Sequence, residues 1–325
     1  MKLQSYAVKT ESRLDQFLHS ELNKIFSETL LSNSKIRRLI FSGAVSVNKH
    51  QSRNPSLVLK KTDTVTLCLD EEKLFFEKKT DDVNFTLTQK DVLFEDDYII
   101  LVNKPAFFPT EATVVQSRDN LHAKVIEYLW KKNPSLKNPP YVGIMHRLDR
   151  ETSGVILFTK QRSVNAKIFE MFEKHKAQKV YRAVSTKTQK NKDAPDLKKG
   201  QSVLIKNFIG RISPLSSACK MGIVVPKPDC FYTNKKYIPE EAQTKITLLE
   251  EKDGKFYFEA CPLTGRTHQI RVELAWCGYP ILGDKNYNGV SSSRTFLHAQ
   301  SLTFTHPVSG QILTVEAELP QGFEP

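Results

Sequence analysis

The string His146-Arg147-Leu148-Asp149-Arg150-Glu151-Thr152-Ser153-Gly154 gathers the side chains best suited to chemistry in this sequence. Asp149 lies between two arginines, and a carboxylate confined beside guanidinium groups has its pKa lowered by about 1 to 3 units. Such a group is ionised at neutral pH, which suits a nucleophile or general base better than a general acid. The same composition also describes a solvated salt-bridge cluster, and residue types alone leave both readings open. His146 and His268 have no carboxylate or cysteine at ligand spacing, so hydrogen-bonded structural or ligand-contact roles fit them better than metal binding. The five cysteines (Cys68, Cys219, Cys230, Cys261, Cys277) contain no CxxC pair and read as reduced bystanders. Neither GxGxxG nor a P-loop occurs, which disfavours dinucleotide redox chemistry and nucleotide hydrolysis.

Elements must hold Asp149 in place. Apolar residues at 141–145 and 155–158 read as strands, and 146–154 is then a charged turn between them, where a rigid scaffold presents chemistry. Another continuous apolar strand is expected at 98–102, closed by Asn103-Lys104-Pro105 because proline cannot extend the ladder. Leu121, Val125, Tyr128 and Leu129 have helical spacing. Nearer the N-terminus, Leu14, Phe17, Leu18, Leu22 and Ile25 share one helical face, with Ser12 as the expected N-cap. A second helix is expected in SKIRRLIFSG, capped by Ser34 and ended by Gly43, with Arg37 and Arg38 projecting from its polar side. Strands at 44–47 and 65–69 and a turn at Asn48-Lys49 complete a compact basic unit.

The length of 325 residues favours two domains, and the formal net charge of +12 points to a polyanionic partner. The charge is localised. Residues 29–61 carry seven basic residues and no acid, residues 174–192 do the same, and between them residues 71–97 hold nine acids against four lysines. The centre of that acidic stretch reads as a linker. Apolar runs reach only about five residues, far short of the roughly 18 a membrane span needs. The opening residues lack the apolar stretch of a secretory signal, so a cytoplasmic location is expected.

The order RLDQFL, SKIRRLIFSGAVSVN and DTVTL resembles the small RNA-binding domain named after ribosomal protein S-four. The resemblance implies that the second helix and the hairpin after it grip RNA phosphates, which assigns Lys35, Arg37, Arg38 and Lys49 to RNA contact. Such contacts position a protein without reading bases. The match weakens at Asn48-Lys49-His50, where that family more often has glycine after the asparagine.

The string HRLDRETSG closely resembles the catalytic motif of the RluA-type pseudouridine synthases. FEDDYIILVNKP, KVYRAV and LTGRTHQIRVELAWCGYPILGDKNY resemble other motifs of that family in the right order. The resemblance implies an α+β catalytic domain, built on a mixed, mainly antiparallel sheet with a central RNA cleft, that converts uridine in RNA to pseudouridine. No atom is gained or lost, so neither metal nor redox cofactor is required, but the base must be flipped from its stack. It further implies Asp149 as the catalytic carboxylate, Arg271 as its guanidinium partner with Arg266 as the weaker candidate, and Tyr181 as the aromatic against the flipped base. Ile270 is expected to line the pocket from an adjacent strand, with Arg147, Arg150, Arg266 and His268 among the substrate contacts.

The expected organisation is an RNA-binding domain at 1–75, a linker at 76–90 and a catalytic domain at 91–325, acting as a monomer. Ribosomal RNA of the large subunit (23S) is the leading expected substrate and transfer RNA the second. The rival reading is a noncatalytic RNA-binding ribosome-assembly factor. Three departures stand out: Phe107-Phe108 where the family has a glycine after Ala106, Glu273 where it commonly has histidine, and the dissimilar segment 186–237, expected to be a loop-rich insertion.

Overall fold

The structure is a computed structural model, and it describes residues 2–26, 31–69, 82–112, 119–213, 219–225 and 238–325. The chain divides into two compact units, one spanning Met1–Thr80 and the other running from Asp81 to the C-terminus, with Asp81–Pro214 and Cys219–Pro325 as its parts.

The first unit contains strands β1 (Lys2–Ala7) and β2 (Ser12–Arg13), helices α1 (Leu14–Ile25) and α2 (Asn33–Phe41), then β3 (Val45–Val47), β4 (His50–Gln51), β5 (Val58–Leu59) and β6 (Thr64–Leu69). Four of these strands form an antiparallel sheet in the order β1-β6-β3-β4. Leu14, Leu18 and Leu22 of α1 and Ile36 and Ile40 of α2 are fully buried against Val45, Val65 and Leu67, and each contributes about 1.5 to 3 kcal/mol by leaving water. Both expected caps are displaced. Ser12 is drawn into a two-residue strand with β5, so Arg13 stands at the start of α1, and Ser32 rather than Ser34 caps α2 by accepting from the Lys35 amide at 3.3 Å. Gly43 adopts φ +81 at the expected helix end, and Asn48 and Lys49, both at positive φ, make the tight turn of the β3–β4 hairpin.

The second unit is built on one large sheet. Its strands are β7 (Val92–Glu95), β8 (Ile99–Lys104), β9 (Gly143–Ile144), β10 (Ser153–Thr159), β11 (Gln178–Thr186), β12 (Ser202–Arg211), β13 (Met221–Ile223), β14 (Glu240–Lys252), β15 (Lys255–Pro262), β16 (Leu297–Thr305) and β17 (Ile312–Glu316). The order is β13-β12-β14-β15-β11-β16-β10-β8-β7, with β17 beside β16 and β9 beside β10. Among the named strands of the described residues only the β10–β16 pairing is parallel, so the sheet is mixed and mainly antiparallel, as expected. Helices α3 (Leu121–Lys132), α4 (Asn165–Glu173) and α5 (Gln269–Trp276) pack on it. Asn120 caps α3 by accepting from the Ala123 amide at 3.0 Å, which fixes the start of the helix that the apolar spacing anticipates.

Two expectations about the segments around this sheet are corrected. Residues 76–81 of the expected linker at 76–90 lie outside the described residues, but its later part belongs to the second unit: Leu87 is buried and Phe85 meets Phe108 edge-on at 5.3 Å. The segment 186–237 is not loop-rich throughout, because β12 is a ten-residue strand paired along its length with β14, and Ala194 and Leu197 are buried in the main core cluster. Residues 214–218 and 226–237, including Cys230, lie outside the described residues. Among the described residues no helix is long and apolar enough to cross a membrane.

Candidate active site

The turn expected between two buried strands is real, and it is pinned at alternate positions. His146 Nε2 accepts the Leu157 amide at 3.0 Å, and its ring stacks on Phe172 with centroids 4.3 Å apart. Thr110 Oγ1 donates to the Leu148 carbonyl at 2.8 Å. The ammonium of Lys104, wholly buried, donates to three carbonyls: Phe108 at 2.7 Å, Pro105 at 2.9 Å and Arg150 at 3.0 Å. Desolvation drives its pKa down to about 7, against the opposing pull of Asp149 and Glu151. The turn ends on Gly154, whose φ of +114 and close approach to β16 leave no space for a side chain: a Cβ there would lie 2.1 Å from the Ala299 carbonyl oxygen. With the turn held at these points, Asp149 lines a pocket of about 470 Å³ together with Tyr181, His268 and Arg271.

Arg271 reaches the pocket from α5, and its guanidinium is almost completely buried. Its Nη1 donates to Asp149 Oδ2 at 3.2 Å. Its paired donors go elsewhere: Nε and Nη2 grip the two oxygens of Asp284 at 2.7 and 2.9 Å, and Asp284 is fully buried. Burial alone would lower the pKa of Arg271, but the bonds from Asp284 and the charges of Asp149, Asp284 and Glu151 hold it above its ordinary value. A fork used up on Asp284 fixes the plane of the guanidinium and offers Asp149 a single donor. The expected pairing of Asp149 and Arg271 is therefore present, but the bidentate partner is a residue the sequence reading did not single out. Its signal was available in the GDKNY string. Gly283, at φ +80 and packed against the Arg294 carbonyl, turns the chain so that Asp284 points inward.

His268 stands before α5 with a left-handed φ of 58. Its Nδ1 lies 2.7 Å from the Tyr287 hydroxyl, which itself accepts the Met221 amide at 3.1 Å. Where the Tyr287 hydroxyl donates to Nδ1, the histidine proton sits on Nε2, 3.8 Å from Asp149 Oδ2. Burial lowers the pKa of His268, which favours a neutral ring beside the carboxylate.

Tyr181 lies in the middle of β11, half-buried between two core clusters. Burial first, and then the charge of Asp149, push its hydroxyl above the ordinary tyrosine range. It is a proton donor at neutral pH. Ile270 lines the pocket as expected, but from helix α5 and not from a strand. Arg266 also lines it, anchored by its own bonds to the Glu241 carbonyl at 2.8 Å and Glu240 at 2.7 Å.

The arginines beside Asp149 in sequence do not hold it. Arg147 lines the pocket and pairs with Glu111. Arg150 points to the other side of the turn, bonded to Asp82 at 2.7 Å and Glu151 at 3.1 Å with its guanidinium over the Phe107 ring, and it does not line the pocket. Local sequence put the wrong cations next to the carboxylate because other acids take them: Glu111 pairs with Arg147, and Asp82 draws Arg150 away from the pocket. Phe107 itself holds φ 58, the conformation for which glycine is favoured at that position, and residues 106–108 support Arg150 without touching the pocket. Glu273 sits fully buried on α5, and desolvation raises its carboxyl to about 8.

The model of a family described as RNA pseudouridylate synthase matches residues 98–276, which include Asp149, Tyr181 and Arg271. The chain belongs to the RNA pseudouridylate synthase family. Its enzymes isomerise uridine within RNA, and in this chain Asp149, Tyr181 and the buried guanidinium of Arg271 meet in one pocket. The chain is 30% identical to the ribosomal large subunit pseudouridine synthase C of Escherichia coli strain K12, over 96% of its own length and 91% of the relative's. It is 31% identical to the protein of that name from Yersinia pestis, over 94% and 88%. An uncharacterized RNA pseudouridine synthase of Mycoplasma pneumoniae is 29% identical over 98% of this chain and 93% of its own. Among solved structures, human RNA pseudouridylate synthase domain containing 4 superposes with a TM-score of 0.54 at 19% identity, covering 72% of this chain and 90% of that one. At that identity the likeness shows the fold.

In the first unit, Lys49 and Arg38 are exposed, Lys35 is half-buried, and Arg37 donates to the buried Asp15 at 3.1 Å.

Proposed function

We propose that the chain converts specific uridines of large-subunit ribosomal RNA to pseudouridine, with Asp149 as the catalytic carboxylate. One observation carries the assignment of Asp149: it is the carboxylate in the pocket that a buried, oriented arginine approaches with one hydrogen bond, leaving the second oxygen free for the substrate. Tyr181 supplies the aromatic face against the flipped base and a hydroxyl that donates. Arg271 holds the carboxylate oriented, His268 offers it an N–H, and Arg147 and Arg266 meet the RNA at the pocket. The ribosomal substrate is supported by relatives whose names specify the ribosomal large subunit and which align along nearly the whole chain.

We further propose that the first unit is an RNA-binding module of the ribosomal protein S-four type, separated from the catalytic domain near residue 80. The order of its two helices and hairpin, and the exposed Arg38 and Lys49, support this reading. Reversing the charge at Arg38 and Lys49 should lower the salt slope of RNA binding by about 0.7 to 0.9 per lost phosphate contact, and an unchanged slope would place these residues away from RNA. The substrate is tested by mapping pseudouridine across cellular RNA with and without the protein. Loss of sites in 23S ribosomal RNA is the expected result, and loss confined to transfer RNA would redirect the assignment.

A further inference from the structure

Lys179 and Tyr181 stand two residues apart on β11 and line the same pocket. The Lys179 ammonium has three hydrogens, and its bond within the protein is to the Thr264 carbonyl at 3.2 Å. Gly265 lies beside it without a side chain; even an added Cβ would remain 3.8 Å from Nζ. Among the described residues no carboxylate lies within ion-pair distance of Lys179, whereas Arg266 is close enough to add to the effect of burial and lower its pKa to about 8. Two cations therefore meet on this part of the lining of the pocket that Asp149 and Tyr181 share, Arg266 also carrying Glu240 at 2.7 Å. At the rim, Phe169 of α4 is 55% exposed while the neighbouring Phe172 is engaged with His146. Glu173 is the acid at that rim.

We propose that this part of the pocket seats the nucleotide adjoining the target uridine, its phosphate on Lys179 beside Arg266 and its base against Phe169. The inference rests on the reading that the target uridine lies against Asp149. An unpaired ammonium facing a cavity beside a second cation is a seat for an anion, and an exposed ring at the rim provides the sequence-tolerant stacking that single-stranded RNA uses. The subsite would grip the strand once the target base has left its stack, and the binding would offset the cost of flipping.

The probe is a nine-nucleotide single-stranded RNA with one central uridine, made with natural linkages or with neutral methylphosphonates on both sides of that uridine. With the wild-type chain the neutral linkages should weaken binding about tenfold, the value expected for one charge-assisted contact of roughly 1.4 kcal/mol. Lys179→Met should bind both RNAs alike, Lys179→Arg should recover the discrimination, and Phe169→Ala should weaken binding about 5-fold or more. Equal discrimination by wild type and Lys179→Met overturns the phosphate seat, and an unaltered affinity in Phe169→Ala overturns the stacking. Conversion of a 23S ribosomal RNA transcript is measured alongside. No pseudouridine from the wild-type chain defeats the functional reading itself, whereas normal conversion with no coupling at Lys179 defeats this proposal alone.

Discussion

Asp284 takes the paired Nε and Nη2 hydrogens of Arg271 at 2.7 and 2.9 Å, inside the protein. Asp149 receives the third donor, Nη1, at 3.2 Å. The buried charge pair fixes the guanidinium plane, so Asp149, the proposed catalytic carboxylate, faces an oriented cation without being locked to it.

Asp284→Asn should therefore cost both stability and rate. Removing one charge from a buried pair leaves the other uncompensated, a loss of about 3 to 5 kcal/mol, softened where the amide keeps one hydrogen bond. A urea unfolding midpoint and a single-turnover rate check it. An unchanged midpoint would mean that Arg271 is held by Asp149 and Glu151 alone.

Asp149→Asn should abolish pseudouridine formation, with a rate loss of at least about a thousandfold, while RNA affinity changes little. The substitution removes the anion and keeps the size. Normal product from the purified variant would remove Asp149 from the chemistry.

Tyr181→Phe keeps the ring and deletes the hydroxyl. Because burial and Asp149 hold that hydroxyl protonated at neutral pH, its contribution is as a donor, and its loss should lower the single-turnover rate by about 10²-fold with affinity maintained. Tyr181→Leu should weaken binding as well. Equal affinity losses in both variants would argue against a stacking role.

Acid should destabilise the catalytic unit through His298. It is fully buried with Nδ1 2.8 Å from Ser153 Oγ, and desolvation holds its pKa down at about 4, against 6.5 in the unfolded chain. Between pH 6.5 and 4 the unfolded state binds the proton that the folded state refuses, so stability falls as pH falls through this window. His146, lowered by burial to about 3, acts in the same direction. His298→Gln should flatten the fall in the unfolding midpoint, and parallel curves for variant and wild type would assign the acid sensitivity to other groups.

Much of this was legible in the sequence. Continuous apolar runs marked β8 and β10 because a strand buried on both faces has no alternation to disguise it. Apolar spacing marked α1, α2 and α3 because each covers a core with one face. Helix α5 escaped: residues Gln269 to Leu274 are buried on every side, so no polar face sets a 3.6-residue rhythm. The cap of α1 was misplaced because a two-residue pairing with β5 outweighed the hydroxyl of Ser12, and that of α2 because Ser32, two residues before Ser34, takes the Lys35 amide.

By itself the sequence determined the family and the mixed sheet and named Asp149, Tyr181 and Arg271 as candidates, because these depend on residue types in a fixed order. Which charges touch was decided only by the tertiary structure. Arg150, one residue from Asp149, is turned away to Asp82, and Arg271, distant in sequence, is brought to it on a buried helix fixed by Asp284. The energy of an ion pair depends on separation in space and on burial, and neither is a function of separation along the chain.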